Sequence, residues 1–475
     1  MILSVNTMLA NIKGEKTHSI VVAQTLTVLH RGGRGAQRRG VLFKKEWNEY
    51  IIGKCLECLG EMDMLSNYIQ QMFADRLGGR QFGLKEEVYK FEKIKRVKKE
   101  ALQANPHMEL IDLGIGEPDA MADEAVVKRL AEEAKKPENR MYADNGVVEL
   151  KHAAARYMKH VFGVNDLDPE TEINHSIGVK SALAMFPAAF INPGDITLMP
   201  SPSYPILATH TKYYGGEVVH LPLLESNSFL PKLDSFNEGI LKKAKLLYLN
   251  YPNNPTGAVA NTEFFEEVVR FAKKNQLIVV HDASYAALVF DDEKPLSFLS
   301  VPGAKEVGIE LHSLSKAFNM TGWRIGFMAG NSKLVKAIKT VKDNSDSGQF
   351  IAIQKAAAFA LSHSEITEHT AVKYSRRLDL LAKALRECGF TIKKPNGSFF
   401  LYTRIPKAIA SGPHFQSAEE FSHYLLREHL ISSVPWDDAG HYVRFSVTFQ
   451  ANGVKEEQRV IDEIKARLST SKFIF

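Results

Sequence analysis

Short apolar runs alternate with longer amphipathic stretches along most of the chain. Residues 246–250 and 277–281 are nearly continuous apolar runs of strand length, whereas residues 263–275 between them place their apolar side chains at helical spacing. Continuous apolar runs are typical of strands that are covered on both faces. The pattern therefore predicts an α/β fold in which a mostly parallel sheet lies between two layers of helices.

The pattern changes beyond about Lys342. One long helical stretch is predicted over residues 352–385, and short strands are predicted near 399–403 and 443–447. These elements predict a smaller α/β lobe that accompanies the main sheet.

Candidate chemistry follows the predicted strands, at the edge where open α/β sheets bind ligands. The polar turn 253–257 follows one strand, while Asp282 and Tyr285 lie at and just after the end of the next. Further along, Lys316 lies among serines, and Arg324 follows eight residues later. Each feature also has a plainer explanation, as an ordinary turn, a strand-end cap or a solvated surface lysine.

The surroundings of Lys316 suit a lysine that bonds to an aldehyde cofactor bearing a phosphate. Such a lysine must be held uncharged, and the phosphate needs hydroxyl donors and a permanent cation nearby. Ser313, Ser315 and Arg324 can supply these groups. The glycine turn that opens a helix at residues 176–183 offers further phosphate contacts, because helix amino termini carry unpaired N–H groups. The expected contacts there are Val179, Lys180 and Ser181.

Arg444 stands alone among apolar residues in the predicted strand 443–447. A buried arginine requires a partner, and a guanidinium pairs bidentately with a carboxylate. The sequence therefore predicts either a clamp for the α-carboxylate of a substrate or a structural salt bridge.

In their order along the chain, these segments resemble the fold-type I, pyridoxal-phosphate-dependent class I/II aminotransferases. The motifs are Asn-Asn-Pro-Thr-Gly at 253–257, Asp-x-x-Tyr at 282–285 and Ser-x-Ser-Lys at 313–316. The resemblance implies a large domain at residues 119–344, whose mostly parallel, seven-stranded sheet binds pyridoxal 5′-phosphate between helices. It also implies a smaller α/β domain made of residues 65–118 and 345–475.

The same resemblance assigns roles to the site residues. Lys316 would bond to the cofactor and then move the substrate proton, and Asp282 would keep the pyridine nitrogen protonated. Asn254 and Tyr285 would hydrogen-bond the cofactor's phenolic oxygen, and Tyr204 would stack on its ring, although a packed core tyrosine is the alternative for Tyr204. The family's substrate-lining segment corresponds to residues 113–119, which makes Ile115 and Gly116 expected substrate contacts.

The family normally forms homodimers with shared active sites, and the loop at residues 140–146 can be interpreted in that way. Tyr142 would reach the partner's cofactor phosphate, although it lies one residue nearer to Gly146 than in several relatives, and a plain turn is the alternative. Residues 113–116, the loop 143–146 and the run 434–440 further resemble the LL-diaminopimelate aminotransferase group. Asp144 and Asn145 would then bind the far end of diaminopimelate.

The predicted reaction is amino transfer between LL-diaminopimelate and 2-oxoglutarate, in lysine biosynthesis. An aminotransferase for aspartate, alanine or aromatic amino acids is the alternative on the same scaffold. A β-lyase and a non-enzymatic binding protein that keeps the fold are the more distant alternatives. An intact set of lysine, aspartate, tyrosine and arginine residues argues against the binding protein.

Composition agrees with a large enzyme without specifying it. The 475 residues are 45% hydrophobic and carry a formal net charge of +5, with the basic residues dispersed, which fits small anionic substrates better than nucleic acid. No apolar stretch is long enough to span a membrane, and no metal site is predicted. The three cysteines are too few for a disulfide framework, and Cys55 and Cys58 are expected to be incidental thiols.

The first 64 residues differ in character from the rest. From Met1 to Lys45, eight Lys or Arg residues stand against the single acid Glu15. This balance is typical of an organellar transit peptide, but a translated upstream region before a true start at Met62 or Met64 explains it as well. The second explanation is preferred here, and it predicts a cytoplasmic protein.

Overall fold

The computed structural model describes residues 68–84, 90–291 and 293–475. Predictions about the first 64 residues, including the alternative starts and the two cysteines Cys55 and Cys58, lie outside the described residues. The described residues from 90 to 475 belong to one compact unit, and residues 68–84 belong to a separate one. Within residues 68–84, two short 3-10 helices, Asp75–Leu77 and Gly79–Gln81, follow one another, and the Gln70 side-chain amide donates to the Arg80 and Phe82 carbonyl oxygens.

The compact unit alternates strands and helices, as the hydrophobic pattern predicted. The strands are β1 (Ile111–Asp112), β2 (Ile173–Ser176), β3 (Ile196–Ser201), β4 (Glu217–Pro222), β5 (Ala244–Asn250), β6 (Ile278–Asp282), β7 (Gly308–Ser313), β8 (Gly326–Gly330), β9 (Phe400–Arg404), β10 (Ala408–Ile409), β11 (Ile431–Ser432), β12 (Val434–Trp436), β13 (Tyr442–Ser446) and β14 (Phe473–Ile474). The helices are α1 (Lys90–Ala104), α2 (Glu124–Ala134), α3 (Val148–Phe162), α4 (Gly178–Phe190), α5 (Ile206–Tyr213), α6 (Glu238–Lys243), α7 (Thr262–Asn275), α8 (Ala304–Val307), α9 (Ser332–Asp343), α10 (Ile351–Leu361), α11 (Glu365–Glu387), α12 (Ala418–His429) and α13 (Val454–Leu468).

Seven strands form the main sheet, in the order β2-β8-β7-β6-β5-β3-β4. All are parallel to one another except β8, which is antiparallel to both of its neighbours. The central strands β5, β6 and β7 are buried almost throughout, which explains the apolar runs of β5 and β6, whereas β7 also buries Glu310 and His312. The predicted mostly parallel, seven-stranded sheet of the fold-type I architecture is confirmed.

The helix α7 shows how local sequence positions an element in this layer. The Asn261 side chain accepts a hydrogen bond from the Phe264 backbone N–H at 2.9 Å and so caps the helix amino terminus. Phe264, Phe265 and Val268 then bury one face, and the helix ends where Gln276 adopts a left-handed conformation. The predicted helix 263–275 is confirmed to within one residue at its start.

The predicted helical stretch over residues 352–385 is helical in the structure except at residues 362–364, where a break divides it into α10 and α11. Between them, the Ser362 hydroxyl donates to the Ala358 carbonyl, and His363 Nδ1 contacts the Phe359 carbonyl at 2.8 Å. These side chains replace backbone partners at the end of α10, so the chain turns before α11 begins.

The strands predicted after the helices form a separate antiparallel sheet, in the order β12-β13-β9. Next to this sheet, Asp437 accepts hydrogen bonds from the Ala418 backbone N–H at 2.8 Å and from His441 Nδ1 at 2.7 Å. Asp437 therefore binds the first N–H group of α12, in addition to the cap that the Ser417 side chain provides, a role that the sequence did not reveal. The division of the chain into large and small domains stays a prediction.

Candidate active site

The carboxyl ends of β5, β6 and β7 meet at one edge of the main sheet. The strand register pairs Asn250 with Asp282 and Asp282 with Leu311, so the segments that follow these three strands begin side by side. The turn that carries Asn254, the residues Asp282 and Tyr285, and the loop that carries Lys316 are delivered to this edge. This is where parallel α/β sheets bind ligands.

Lys316 lies just beyond β7, and its Nζ donates to the Gly116 carbonyl oxygen at 2.6 Å. Burial lowers the pKa of the Lys316 amine to about 8. The Glu117 carboxylate opposes this lowering, whereas the Arg444 and Arg324 cations add to it. The amine can therefore lose its proton at a much lower pH than an exposed lysine can, as the sequence argument required.

Asp282 ends β6, and its carboxylate is buried with 4% of the residue exposed. Its Oδ1 accepts from the Ser284 hydroxyl at 2.6 Å and from the Ser284 backbone N–H at 3.0 Å, while its Oδ2 accepts from the Tyr248 hydroxyl at 3.2 Å. Burial raises the pKa of the Asp282 carboxyl, and the hydrogen bonds from Ser284 oppose that effect. The site thus holds a carboxylate in an environment from which water is excluded.

Tyr285 is buried beside Asp282. Its ring packs edge-on against Phe399 and Phe400, with centroid separations of 5.4 and 5.6 Å, and the Lys316 Nζ lies 6.0 Å from its centroid. Burial raises the pKa of the Tyr285 phenol far above its usual value, so the hydroxyl is a hydrogen-bond donor at neutral pH.

Arg444 projects from β13 and is buried at 5% exposure. Its Nη1 donates to Asn254 Oδ1 at 2.8 Å, its Nη2 donates to the Gly114 carbonyl at 2.9 Å, and its guanidinium carbon lies 4.0 Å from the centroid of the Phe400 ring. Burial lowers the pKa of the guanidinium to about 10. The guanidinium is therefore held by neutral oxygens and an aromatic face.

No carboxylate pairs with Arg444 among residues 68–84, 90–291 and 293–475, and its Nε has no hydrogen-bond partner in that part of the chain. The structural salt bridge that was the alternative is therefore not found there. A buried, uncompensated cation is costly unless an anion completes it. The geometry suits a ligand carboxylate that binds next to Lys316.

The residues predicted to bind a phosphate lie around the amino terminus of α4. Arg324 Nη1 donates to Ser315 Oγ at 3.2 Å, and Ser313 Oγ accepts from the Ser315 backbone N–H at 3.1 Å. Gly178 has a φ of +69°, and a Cβ there would lie 2.3 Å from Arg324 Nη2. The helix start, the two serines and the arginine are thereby brought together.

Within the first turn of α4, the three predicted contacts differ in their surroundings. The Val179 side chain is buried, the Lys180 side chain is exposed, and the Ser181 hydroxyl donates to the Ile177 carbonyl at 2.8 Å. Their backbone N–H groups, rather than these side chains, are placed at the helix end. Tyr204 lies after β3 and packs against the apolar cluster that contains Tyr248.

The segment that precedes α2 passes between Lys316 and Arg444. The carbonyl oxygens of Gly114 and Gly116 bind these two side chains, and the Ile115 carbonyl accepts from the Thr448 hydroxyl at 2.9 Å. The Ile115 side chain itself is exposed. The predicted substrate-lining segment is thus in contact with both charged groups.

Among the described residues, no hydrogen bond or ion pair joins Lys316 to Tyr142, Asp144 or Asn145. Tyr142 is 85% exposed, the Asp144 carbonyl accepts from Lys342 Nζ at 2.5 Å, and the Asn145 side-chain amide donates to Asp343. Their roles as cofactor and substrate contacts stay predictions.

Tyr248 and Ser284, both of which donate to Asp282, were missed by the sequence analysis, as was the ring of Phe400 under Arg444. Strand alternation contained one signal, because Tyr248 lies two residues before Asn250 and so points to the same face of β5. Ser284 lies two residues after Asp282, a spacing at which an aspartate side chain commonly accepts from the backbone.

The described residues contain no cluster of His, Cys, Asp or Glu that could hold a metal ion. In the same part of the chain, no helix has the length and apolar character needed to cross a membrane.

Comparison with known proteins gives consistent results. The sequence profile of the family described as "Aminotransferase class I and II" matches residues 108–461. The LL-diaminopimelate aminotransferase of Methanocaldococcus jannaschii is 58% identical over 412 residues, which cover 85% of this chain and 98% of that protein. The protein of the same name from Methanococcus maripaludis is 56% identical over 416 residues, covering 86% of this chain and 100% of that protein.

Two solved structures show the same fold. Substrate-bound BacF from Bacillus subtilis superposes with a TM-score of 0.75 at 32% sequence identity, over 84% of this chain and 97% of that one. A probable N-succinyldiaminopimelate aminotransferase from Thermus thermophilus superposes with a TM-score of 0.71 at 30% identity, over 80% of this chain and 100% of that one.

Proposed function

The chain belongs to the class I and II aminotransferases, and from that premise we propose that it transfers an amino group between LL-diaminopimelate and 2-oxoglutarate, with pyridoxal 5′-phosphate as its cofactor. The observation that carries the reaction is Arg444, a buried guanidinium without a carboxylate partner among the described residues, in a site that also holds Lys316. The two relatives above, at 58% and 56% identity, support the choice of donor. A cytoplasmic location stays a prediction.

The residues at the sheet edge fit this cofactor. Arg324, Ser315 and the amino terminus of α4 offer a cation, a hydroxyl and free N–H groups to a phosphate. Asp282 offers a buried carboxylate to a ring nitrogen. Lys316 offers an amine with a lowered pKa to an aldehyde. When bound, the cofactor supplies an electron-poor pyridine ring that makes the Cα–H bond of an attached amino acid acidic.

The chain's own residues would bind and orient the donor. Arg444 would bind the α-carboxylate through its unpaired Nε and one Nη, and Asn254 and Gly114 would hold the guanidinium plane in place. This contact would place the Cα–H bond toward Lys316. The rings of Phe399 and Phe400, with the Gly114–Gly116 backbone, would exclude water from the charged groups.

Lys316 would then act on the proton at Cα. In its neutral form, which burial favours, the Nζ accepts that proton and returns it at a neighbouring atom. Asp282 would keep the ring nitrogen protonated, while Asn254 and Tyr285 would donate to the cofactor's phenolic oxygen. The same residues would serve the reverse half-reaction with 2-oxoglutarate.

We include a homodimer in this proposal, since Tyr142, Asp144 and Asn145 make no hydrogen bond or ion pair with Lys316 among the described residues. Large apolar side chains on and near this loop are exposed: Met141, Tyr142, Val148 and Phe350. A second copy that covered them would place Tyr142 at its partner's phosphate, and Asp144 and Asn145 at the far end of its partner's substrate.

The test uses the purified chain saturated with pyridoxal 5′-phosphate and 2-oxoglutarate. LL-diaminopimelate, aspartate, alanine and phenylalanine are supplied separately, and glutamate formation is measured. We expect a strong preference for LL-diaminopimelate. Preference for another donor would retain the aminotransferase and reject the substrate, and pyruvate with ammonia in the absence of an acceptor would indicate a β-lyase.

The Lys316→Ala variant tests the assignment of the amine. We expect it to lose both glutamate formation and the visible absorption band that covalent attachment of the cofactor produces. A variant that retained the band would contradict the role of Lys316. The Lys305→Ala variant is the control. Lys305 pairs with Asp166 and Glu172 just before β2, at the amino ends of the parallel strands, whereas Lys316 follows the carboxyl end of β7.

A further inference from the structure

Tyr248 is a buried tyrosine in the interior of the main sheet, next to the candidate site. It lies within β5 at 0% exposure, and its hydroxyl donates to Asp282 Oδ2 at 3.2 Å. Burial raises the pKa of the Tyr248 phenol well above its usual value, so the hydroxyl keeps its proton at any pH at which the protein works. Tyr248 is therefore a fixed donor to a carboxylate that faces the candidate site.

The Asp282 carboxylate has two differently occupied oxygens. Both hydrogen bonds from Ser284 are accepted by Oδ1. Among the described residues, only Tyr248 donates to Oδ2. Both tyrosine and aspartate are carried by adjacent parallel strands whose register pairs Asn250 with Asp282. The sheet therefore fixes the distance between the phenol and the carboxylate more tightly than a loop could.

We propose that Tyr248 is a positioning residue that orients the Asp282 carboxylate and stabilises its ionised form, so that the ring nitrogen of the bound cofactor stays protonated. This inference rests on the proposed function, because it takes Asp282 to be the partner of that nitrogen. The phenol would not touch the cofactor and would act through Asp282.

The physical reason is the balance between burial and hydrogen bonding. A buried carboxyl group favours its neutral form, and each donated hydrogen bond favours the anion. Without the phenol, Asp282 would be a stronger base, and the proton that it shares with a ring nitrogen would move toward the carboxylate. The other titratable groups that act on this pair are His281, Lys316, Tyr204 and Tyr285. A variant that keeps these four groups isolates the phenol.

The test compares Tyr248→Phe with a matched control, Tyr374→Phe. Tyr374 is also a fully buried tyrosine whose hydroxyl donates to a carboxylate, in this case Asp119 at 3.3 Å. Each protein is reconstituted with cofactor labelled with ¹⁵N at the ring, and the ring resonance is measured by solid-state NMR. Cofactor affinity of the cofactor-free protein is measured in parallel by fluorescence titration.

We expect the ring resonance of Tyr248→Phe to move toward the value of an unprotonated pyridine, and cofactor affinity to fall about tenfold, as for the loss of one buried hydrogen bond to a charged group. Tyr374→Phe is expected to retain the wild-type resonance. Replacing Tyr248 with difluorotyrosine, which has a similar volume and is a stronger donor, is expected to move the resonance in the opposite direction or leave it fully protonated.

Two outcomes would overturn the inference. One is an unchanged ring resonance in Tyr248→Phe, and the other is an equal change in both phenylalanine variants. If Tyr248→Phe does not fold, a resonance that moves toward the unprotonated value in the difluorotyrosine protein would overturn it as well. A wild-type protein that binds no cofactor or forms no glutamate would instead refute the proposed function itself.

Discussion

Two buried arginines, Arg377 and Arg444, show how differently one residue type is used in this molecule. Arg377 lies on α11 at 0% exposure, and all of its N–H groups face acceptors. These acceptors are the carboxylates of Glu457 and Asp119 and the carbonyl oxygens of Val447, Phe449 and Ala451. Arg444 has an amide oxygen and a carbonyl oxygen as acceptors, and its Nε has none among the described residues.

The difference separates a structural cation from a binding cation. Arg377 is compensated by two buried carboxylates and joins α11 to Asp119 and to α13, so removing it would leave two buried anions with less compensation. Arg444 carries an uncompensated charge, so removing it would relieve desolvation while it removed the contact for a ligand anion. Stability and activity should therefore respond in opposite ways at the two positions.

The largest effect is expected for Arg377→Leu. Asp119 and Glu457 would remain buried, and the free energy of unfolding should fall by about 3–5 kcal/mol. Urea unfolding followed by circular dichroism would measure the change. An unfolding midpoint equal to that of the wild type would contradict a structural role, and Asp119→Asn offers a milder variant if Arg377→Leu does not fold.

Arg444→Met is expected to act mainly on catalysis. The loss of a desolvated contact between two charges costs about 2–5 kcal/mol, so kcat/KM for the amino donor should fall about 30- to 4000-fold. The free energy of unfolding should change by less than about 1 kcal/mol, because no carboxylate among the described residues loses its partner. Steady-state kinetics and urea unfolding of the same preparation would measure both. A large fall in the free energy of unfolding with an unchanged kcat/KM would make Arg444 a structural cation like Arg377 and would contradict the distinction between the two arginines.

A smaller effect is expected on the pH dependence of cofactor capture. Covalent capture of the cofactor needs the neutral amine of Lys316, and burial lowers the pKa of that amine to about 8. The rate at which cofactor-free protein captures the cofactor should therefore rise with pH through an inflection near pH 8. The Arg444 cation also lowers this pKa, so Arg444→Met should move the inflection to higher pH. Stopped-flow absorbance over a pH series would measure it, and an inflection that moved down would contradict the coupling.

The sign of the effect on stability follows from the same pKa. The unfolded chain keeps a proton on this lysine up to about its usual pKa of 10.5, whereas the folded chain releases it from about pH 8. The unfolded state therefore binds more protons between these two values, and the contribution of Lys316 to stability rises with pH in that window.

The smallest effect is expected for Arg376→Ala, next to Arg377. Arg376 also donates to Glu457, at 2.8 and 3.0 Å, but its side chain is 36% exposed. Exposed ion pairs contribute about 0.2–1 kcal/mol, so the free energy of unfolding should fall by no more than that. The urea series used for Arg377→Leu would measure it, and a loss as large as for Arg377 would remove the distinction based on burial.

Local pattern was sufficient to predict much of the sheet and part of the site. The strands β5 and β6 and the helix α7 were predicted within about a residue or two, because their apolar periodicity is a property of short segments. The position of Asp282 at a strand end follows from the same segments, whereas the strand β7 that precedes Lys316 was not predicted. Helix boundaries were less predictable, since the turn between α10 and α11 depends on side chains that bond to the preceding backbone.

The sequence by itself thus determined the fold class, the strand ends that carry chemistry and the residue types found there. Only the tertiary structure decided which groups meet: Lys316 bonds to a carbonyl 200 residues away, and Arg444 to one 330 residues away. It also decided that β8 inserts antiparallel between β2 and β7 and that Tyr248 reaches Asp282. The physical reason is that periodicity acts over one or two turns of chain, whereas burial, pKa and charge compensation depend on neighbours that only packing brings together.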